Sequence, residues 1–458
     1  MTEDFQMKTK LTRRSLLSGA VTLGGGVALS TVAPSFVPAT KPAAAEIVPD
    51  QEHLPIAASE ARNTVESAAD STETVMKFST KFLSNKVFKD LALNFDSPSP
   101  VRIDAKTVET GALVRPNGDI SFRVYAPNAK DVTLTFNLVR DGKLQLTKQG
   151  SGVFEGLLPF DVNHTGPMGV EVNIDGVAFI DPFMPIHWSG GRPRNFIEVP
   201  DTDLEFMHIK DVPHGAMSRE IYWADVIKSW ERCVIYTPPG HMKSSKEYPV
   251  LYLLHGGGEN EIVWEYCGRV AHILDNLIAT GKSEPFIAVM NNGMLRYSDT
   301  ANNVVDDAFE RMLTESCIPH IEKNYRVKTD KWNRAIAGLS MGSYMACDIG
   351  FKRPDLFGNI GTFTASMTHE TLHMSYERPY PTVMKDPQAF ARNYRIYFRS
   401  TTPVEDHFAD YFVADDKICA DAGIDKFPSY HRIVYPKRTT KWNSWRMGLR
   451  DFAQLLFR

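Results

Sequence analysis

No other stretch limits the fold of this chain as sharply as residues 335–343, Ala-Ile-Ala-Gly-Leu-Ser-Met-Gly-Ser. A short apolar run leads into a serine flanked by glycines two residues away on either side, and a segment able to form a helix follows. Glycine carries no Cβ, so the chain can turn sharply there and backbones can approach closely. Between a strand and a helix, G-x-S-x-G lifts its serine, Ser340, above the end of a sheet. The backbone N–H of Met341 then lies at a helix amino terminus, where a developing anion is stabilised. Without those flanks the same residues would be a glycine-rich turn with a solvated serine.

The surrounding sequence supplies the flanks. Val250–Leu254 and Phe286–Met290 are continuous apolar runs, and Arg334–Ala337, Tyr394–Phe398 and His431–Tyr435 read as further short strands. Phe309, Met312, Leu313, Cys317 and Ile321 recur at helical spacing, as do Leu449, Phe452, Leu455 and Leu456. Buried strands alternating with amphipathic helices predict a mostly parallel sheet, covered on both faces, over residues 205–458. Residues 101–204 follow a different grammar. Ile120–Tyr125 and Val132–Phe136 alternate with period two, and Asn117-Gly118, Asp141-Gly142 and Asp175-Gly176 are hairpin signals. They predict a small all-β sandwich ahead of the α/β part.

The first hundred residues read differently again. Arg13-Arg14 precede a stretch from Ser15 to Thr40 without charge, and Ala43-Ala44-Ala45 follows. Paired arginines, a mild apolar segment and small residues resemble a twin-arginine export signal over residues 1–45. Its glycines and prolines argue against a transmembrane helix, so no stable span is expected after cleavage. The export machinery is the expected partner, and the destination is extracellular, periplasmic or the cell surface. Residues 46–100, rich in Ala, Ser, Thr, Glu and Pro, read as a linker. A formal net charge of −4 gives no basic excess for nucleic acid. The five cysteines are widely spaced, which predicts neither a zinc site nor a disulfide framework. No metal-ligand spacing or organic-cofactor motif appears.

A second loop complements the serine. Leu253-Leu254-His255-Gly256-Gly257-Gly258 follows an apolar run, and its glycines let backbone N–H groups approach a ligand. Gly257 is the expected second oxyanion donor, beside Met341. His255 reads as a packing residue of the loop.

Several segments together resemble a known family. They are Asp211-Val212-Pro213-His214-Gly215, Tyr236-Thr237-Pro238-Pro239-Gly240, the run from Tyr248 to Glu261, Ile318 to Arg326, the Ser340 turn, and Arg353 to Gly358. The chain resembles secreted carbohydrate esterases of the feruloyl and acetylxylan esterase type, related to enterochelin esterases. Arg123 to Ala129, Val172 to Gly176 and Asp181-Pro182 resemble the immunoglobulin-like modules that precede many carbohydrate-active enzymes. The resemblance implies an α/β-hydrolase domain behind an immunoglobulin-like sandwich, and a Ser…Asp…His triad cleaving feruloyl or acetyl esters on plant-wall carbohydrate. The substrate expected is a carbohydrate ester or a small ester. The sandwich is expected to be a packing partner, since no aromatic platform for sugar stands out.

Two positions depart from the family. Its acid falls at Asp406, with Glu405 the fallback, in Arg399-Ser400-Thr401-Thr402-Pro403-Val404-Glu405-Asp406-His407, where the family's glycine is missing. Its histidine falls at Thr440, two residues before Trp442, and a threonine cannot act as a base near neutral pH. His431 and His407 are the other histidines that could serve. Lys437, Arg438 and Lys441 read as solvated surface charge. The alternative function is therefore an esterase fold that has lost its base and keeps a binding or structural role.

Overall fold

The computed structural model describes residues 101–458, except 103–108, 138–141, 151, 162–163, 182–183, 200, 202–203, 295–306, 365–384, 403–408 and 437–440. The export signal and linker fall outside the described residues, as do Glu405, Asp406, His407 and Thr440.

Eleven strands form the amino-terminal sheets: β1 (Val101–Arg102), β2 (Glu109–Val114), β3 (Ile120–Tyr125), β4 (Val132–Asn137), β5 (Gly142–Gln145), β6 (Thr147–Lys148), β7 (Val153–Leu158), β8 (Gly166–Ile174), β9 (Val177–Phe179), β10 (Ile186–Ser189) and β11 (Arg192–Val199). One sheet has the order β1-β2-β3-β7-β6, the other β10-β11-β8-β4-β5 with β9 added to β8. The strand pairs in both are antiparallel, for example Phe122 opposite Gly156 and Leu134 opposite Val172. Alternation decides what is buried. Ile120, Phe122 and Val124 of β3 meet Val132, Leu134 and Phe136 of β4 in one core, and the residues between them on β3 face outward. At the β8–β9 turn Asp175 and Gly176 both take positive φ (49° and 87°), the conformation that an Asp-Gly hairpin turn needs.

The carboxyl-terminal part is built on β12 (Ala216–Ala224), β13 (Ser229–Thr237), β14 (Val250–Leu254), β15 (Ile287–Asn291), β16 (Arg334–Leu339), β17 (Asn359–Phe363), β18 (Ile396–Thr401) and β19 (Tyr430–Val434), in the order β12-β13-β15-β14-β16-β17-β18-β19. The β12–β13 and β13–β15 pairs are antiparallel, and the other pairs are parallel. Side chains of a strand alternate between faces, and here both faces are covered. Tyr252, Leu254 and Ile336 enter one core, while Leu251, Leu253, Ala335 and Ala337 enter the other. Leu204 and Met207, on the approach to β12, pack in this second core.

The helical run through Phe309 and Ile321 is not uniform. Helix Asp307–Met312 passes through a wider π turn at Leu313–Cys317 into helix Ile318–Asn324. Pro319 has no N–H to return to the preceding turn, and the wide turn stands immediately ahead of it. All five cysteines are free and buried. Among the described residues no helix is long and apolar enough to cross a membrane.

Candidate functional site

Ser340 sits between β16 and the helix Met341–Lys352 at φ 48° and ψ −121°. A non-glycine residue at positive φ costs roughly 1–3 kcal/mol and persists only where its surroundings impose it. The surroundings are explicit. A Cβ on Gly338 would lie 2.5 Å from the Gly342 carbonyl carbon, and one on Gly342 would lie 2.5 Å from the His255 carbonyl oxygen. Only glycine at both positions lets the helix start so close to its own strand and to the end of β14. Ser343, fully buried, pins the turn. Its Oγ donates to the Gly338 carbonyl at 2.5 Å and accepts the Phe363 N–H at 3.0 Å. The Met341 N–H lies in the first turn of the helix, where no helical carbonyl precedes it.

The glycine loop leaves β14 and passes over this turn. A Cβ on Gly256 would lie 3.4 Å from Ser340 Cβ, so the loop and the serine are in direct apposition. The Gly256 carbonyl accepts from His255 Nδ1 at 2.7 Å and from the Glu259 N–H at 3.3 Å. His255 Nε2 accepts the Gly293 N–H at 2.8 Å, which assigns the proton to Nδ1. Burial holds this imidazole down at about 4, so it is neutral near pH 7. With both nitrogens engaged, His255 is a loop-packing residue and has no nitrogen left for Ser340. Gly257 is exposed, and no described group accepts its N–H. In a trans peptide the carbonyl and the next N–H point in opposite directions. Fixing the Gly256 carbonyl therefore fixes the heading of the Gly257 N–H.

Two features of the site escaped sequence reasoning. The first is Glu259, a buried carboxyl whose Oε2 accepts the Gly256 N–H at 2.9 Å and which burial pushes up to about 7. The second is the part that the all-β sheets take. Gly191, in the β10–β11 turn, donates its N–H to the Gly258 carbonyl at 3.0 Å. Behind it, Glu198 of β11 receives Arg446 at 2.7 and 2.9 Å and Arg269 at 3.2 Å, all three buried. Burial alone would raise the Glu198 carboxyl, but the two guanidiniums outweigh it and hold it below the ordinary range. Arg446 Nε also donates to the Cys267 carbonyl at 2.7 Å, and Asn443 Nδ2 donates to Thr165 and Asp201 at 3.0 Å. The amino-terminal turns of the helix Trp442–Leu455 are thus held by β11 and by Thr165 and Asp201, which flank β8 and β11. Arg446 stood in the sequence beside Trp445, but nothing marked Glu198 as its partner across 248 residues.

No described histidine hydrogen-bonds Ser340. His431 lies on β19, opposite Phe398. With β17 and β18 between them, β19 and β16 are three strand spacings apart, about 14 Å. Among the described residues no group of histidine, cysteine and acidic side chains could hold a metal ion.

Residues 227–450 match a family model described as a putative esterase. Over 262 residues the chain is 37% identical to an endo-1,4-beta-xylanase/feruloyl esterase of Xylanibacter ruminicola, a match covering 54% of this chain and 35% of that protein. It is 31% identical over 142 residues to endo-1,4-beta-xylanase Y of Acetivibrio thermocellus, covering 28% of this chain and 12% of that one. The chain thus spans about a third or less of these two relatives. The enterobactin esterase FES of Shigella flexneri has a similar fold, with a TM-score of 0.53 at 16% identity, covering 74% of this chain and 94% of that one. The matched segment, 227–450, runs from the turn before β13 into the last helix.

Proposed function

We propose that the chain is an exported serine hydrolase that cleaves carboxylic esters, with feruloyl or acetyl esters of plant-wall carbohydrate as its substrates. The observation that carries this reading is Ser340 itself, held at positive φ at the start of a helix and faced by a glycine loop with an unengaged N–H. Ser340 Oγ attacks the ester carbonyl carbon as its proton passes to solvent. The tetrahedral intermediate then breaks its ester C–O bond, the alcohol leaves with a proton from water, and a second water hydrolyses the acyl-serine. The oxyanion of the tetrahedral intermediate settles between the Met341 and Gly257 N–H groups, and Asp406 is the acid of the site. The substrate class is supported by the feruloyl esterase and xylanase relatives. Export is supported by Arg13 and Arg14. The all-β sheets act as an immunoglobulin-like structural partner, supported by the Glu198 and Gly191 contacts.

A second reading, an esterase fold without turnover, is favoured by one observation: Thr440 stands where the family has its histidine. The two are separated by assaying the full chain on methyl ferulate and on an activated aryl acetate, whose leaving group needs little protonation. Hydrolysis is expected at least on the aryl acetate, with Ser340→Ala abolishing it and a fluorophosphonate labelling Ser340 only in the parent. Hydrolysis unchanged in Ser340→Ala would refute the assignment of the nucleophile. A folded parent that neither hydrolyses nor takes the label would favour the second reading.

A further inference from the structure

The glycine loop is held at each of its residues except the one that does the work. The Gly256 carbonyl is taken by His255 and by the Glu259 N–H, and the Gly258 carbonyl by Gly191. The Gly258 N–H faces Met294 Sδ at 3.5 Å. The Gly256 N–H has one acceptor, Glu259 Oε2 at 2.9 Å. A Cβ on Gly256 would lie 3.2 Å from that oxygen and 3.4 Å from Ser340 Cβ, so the carboxyl and the serine flank the same face of one residue. The two bonds to the Gly256 carbonyl hold one side of this residue, and because glycine tolerates most backbone angles, rotation about its N–Cα bond is restrained on the other side by the Glu259 carboxyl. Rotation there would swing the next N–H away from the serine.

We infer that Glu259 is a positioning residue of the oxyanion site: by accepting the Gly256 N–H it fixes the His255–Gly256 peptide and so, together with the bonds to the Gly256 carbonyl, keeps the Gly257 N–H directed at the carbonyl that Ser340 attacks. This inference rests on the esterase reading above. Among the described residues no cation faces the carboxyl, so an ordinary ion pair does not account for its burial. Burial places its ionisation near 7. Whether protonated or ionised, the group keeps an oxygen able to accept the Gly256 N–H, so the lock does not depend on its charge.

The test compares Glu259→Gln, which keeps an amide oxygen to accept the bond, with Glu259→Met, similar in length and without that acceptor. Both are made in the full chain and checked for a cooperative thermal transition. On an activated aryl ester, Glu259→Met is expected to lose about 10- to 100-fold in kcat with KM nearly unchanged, less than the 10²–10³ typical of deleting an oxyanion donor outright. Glu259→Gln should stay within a few-fold of the parent. Hydrogen exchange at the Gly256 amide should accelerate in Glu259→Met and stay protected in Glu259→Gln. Equal kcat in all three proteins, a rise in KM alone, or equal exchange at Gly256 would overturn the inference. If Glu259→Met does not fold, slow turnover and fast exchange in Glu259→Gln would overturn it as well. Failure of the esterase reading appears separately, as hydrolysis indifferent to Ser340→Ala, and the exchange comparison needs no turnover.

Discussion

Glu259 and His255 sit four residues apart in one loop, and burial moves them in opposite directions. The carboxyl is pushed up to about 7 from 4.5, and the imidazole down to about 4 from 6.5. Both shifts favour the neutral forms, so each group opposes folding where its unfolded counterpart prefers to be charged. Below pH 4.5 Glu259 is protonated in both states and costs nothing. As pH rises from 4.5 to 7 the unfolded chain ionises first, and the native state loses stability by on the order of 3 kcal/mol. His255 acts in the other sense, with stability lost as pH falls from 6.5 towards 4. Glutamine does not ionise, so Glu259→Gln should gain stability relative to the parent between pH 5 and pH 8, read from urea unfolding at each pH. A pH-independent difference between the two proteins would place the Glu259 ionisation outside that window. The sharp turn at Ser340 and the glycine loop facing it were readable from residue type and spacing. Glu259 was present in the same motif, but its burial comes from packing that no local pattern records.

At the scale of elements, the strand–turn–helix unit was readable because each part has its own signal: apolar run, paired glycines, helical spacing. The mostly parallel sheet followed from the same grammar: β14, β15, β16 and β19 lie within two residues of the expected strands, β18 runs three residues further, and β17 was not among them. The π turn at Leu313–Cys317 was not readable, because the apolar spacing through it still looks helical. The two glycine sites make opposite predictions. A methyl group on Gly342 would meet the backbone of His255 and Leu254 at 2.5 and 2.8 Å, and neither can step aside. Gly342→Ala should cost roughly 1–3 kcal/mol or more and lose most turnover. Gly257 has nothing within 4 Å of its would-be Cβ. Gly257→Ala keeps the N–H and should lower the urea midpoint very little. Equal losses at the two sites would contradict the close approach described at the turn.

At the scale of the whole molecule, a change of periodicity near residue 205 was visible in the sequence, and the strand pairing changes from antiparallel sheets before it to a mostly parallel sheet after it. The junction between them was not, because its partners are far apart in sequence and only the fold brings them together. Glu198, Arg446 and Arg269 form a buried cluster of one anion and two cations across that junction. Deleting one member of such a group leaves the others uncompensated, typically at 3–5 kcal/mol. Glu198→Ala should therefore destabilise the full chain by about that amount and, because Arg446 anchors the last helix beside the site, should lower turnover below the melting transition as well. Measured stability within 1 kcal/mol of the parent would mean that the arginines find other partners.

The contact between the β10–β11 turn and the glycine loop bears on transplanting this part of the chain. Esterase segments of multidomain enzymes invite cutting and splicing at linkers. Here a fragment starting at β12 would leave the Gly258 carbonyl without the Gly191 N–H and two arginines without Glu198. A workable graft must carry the β10–β11 hairpin with it, or supply from its new neighbour one N–H and one carboxylate at the same places.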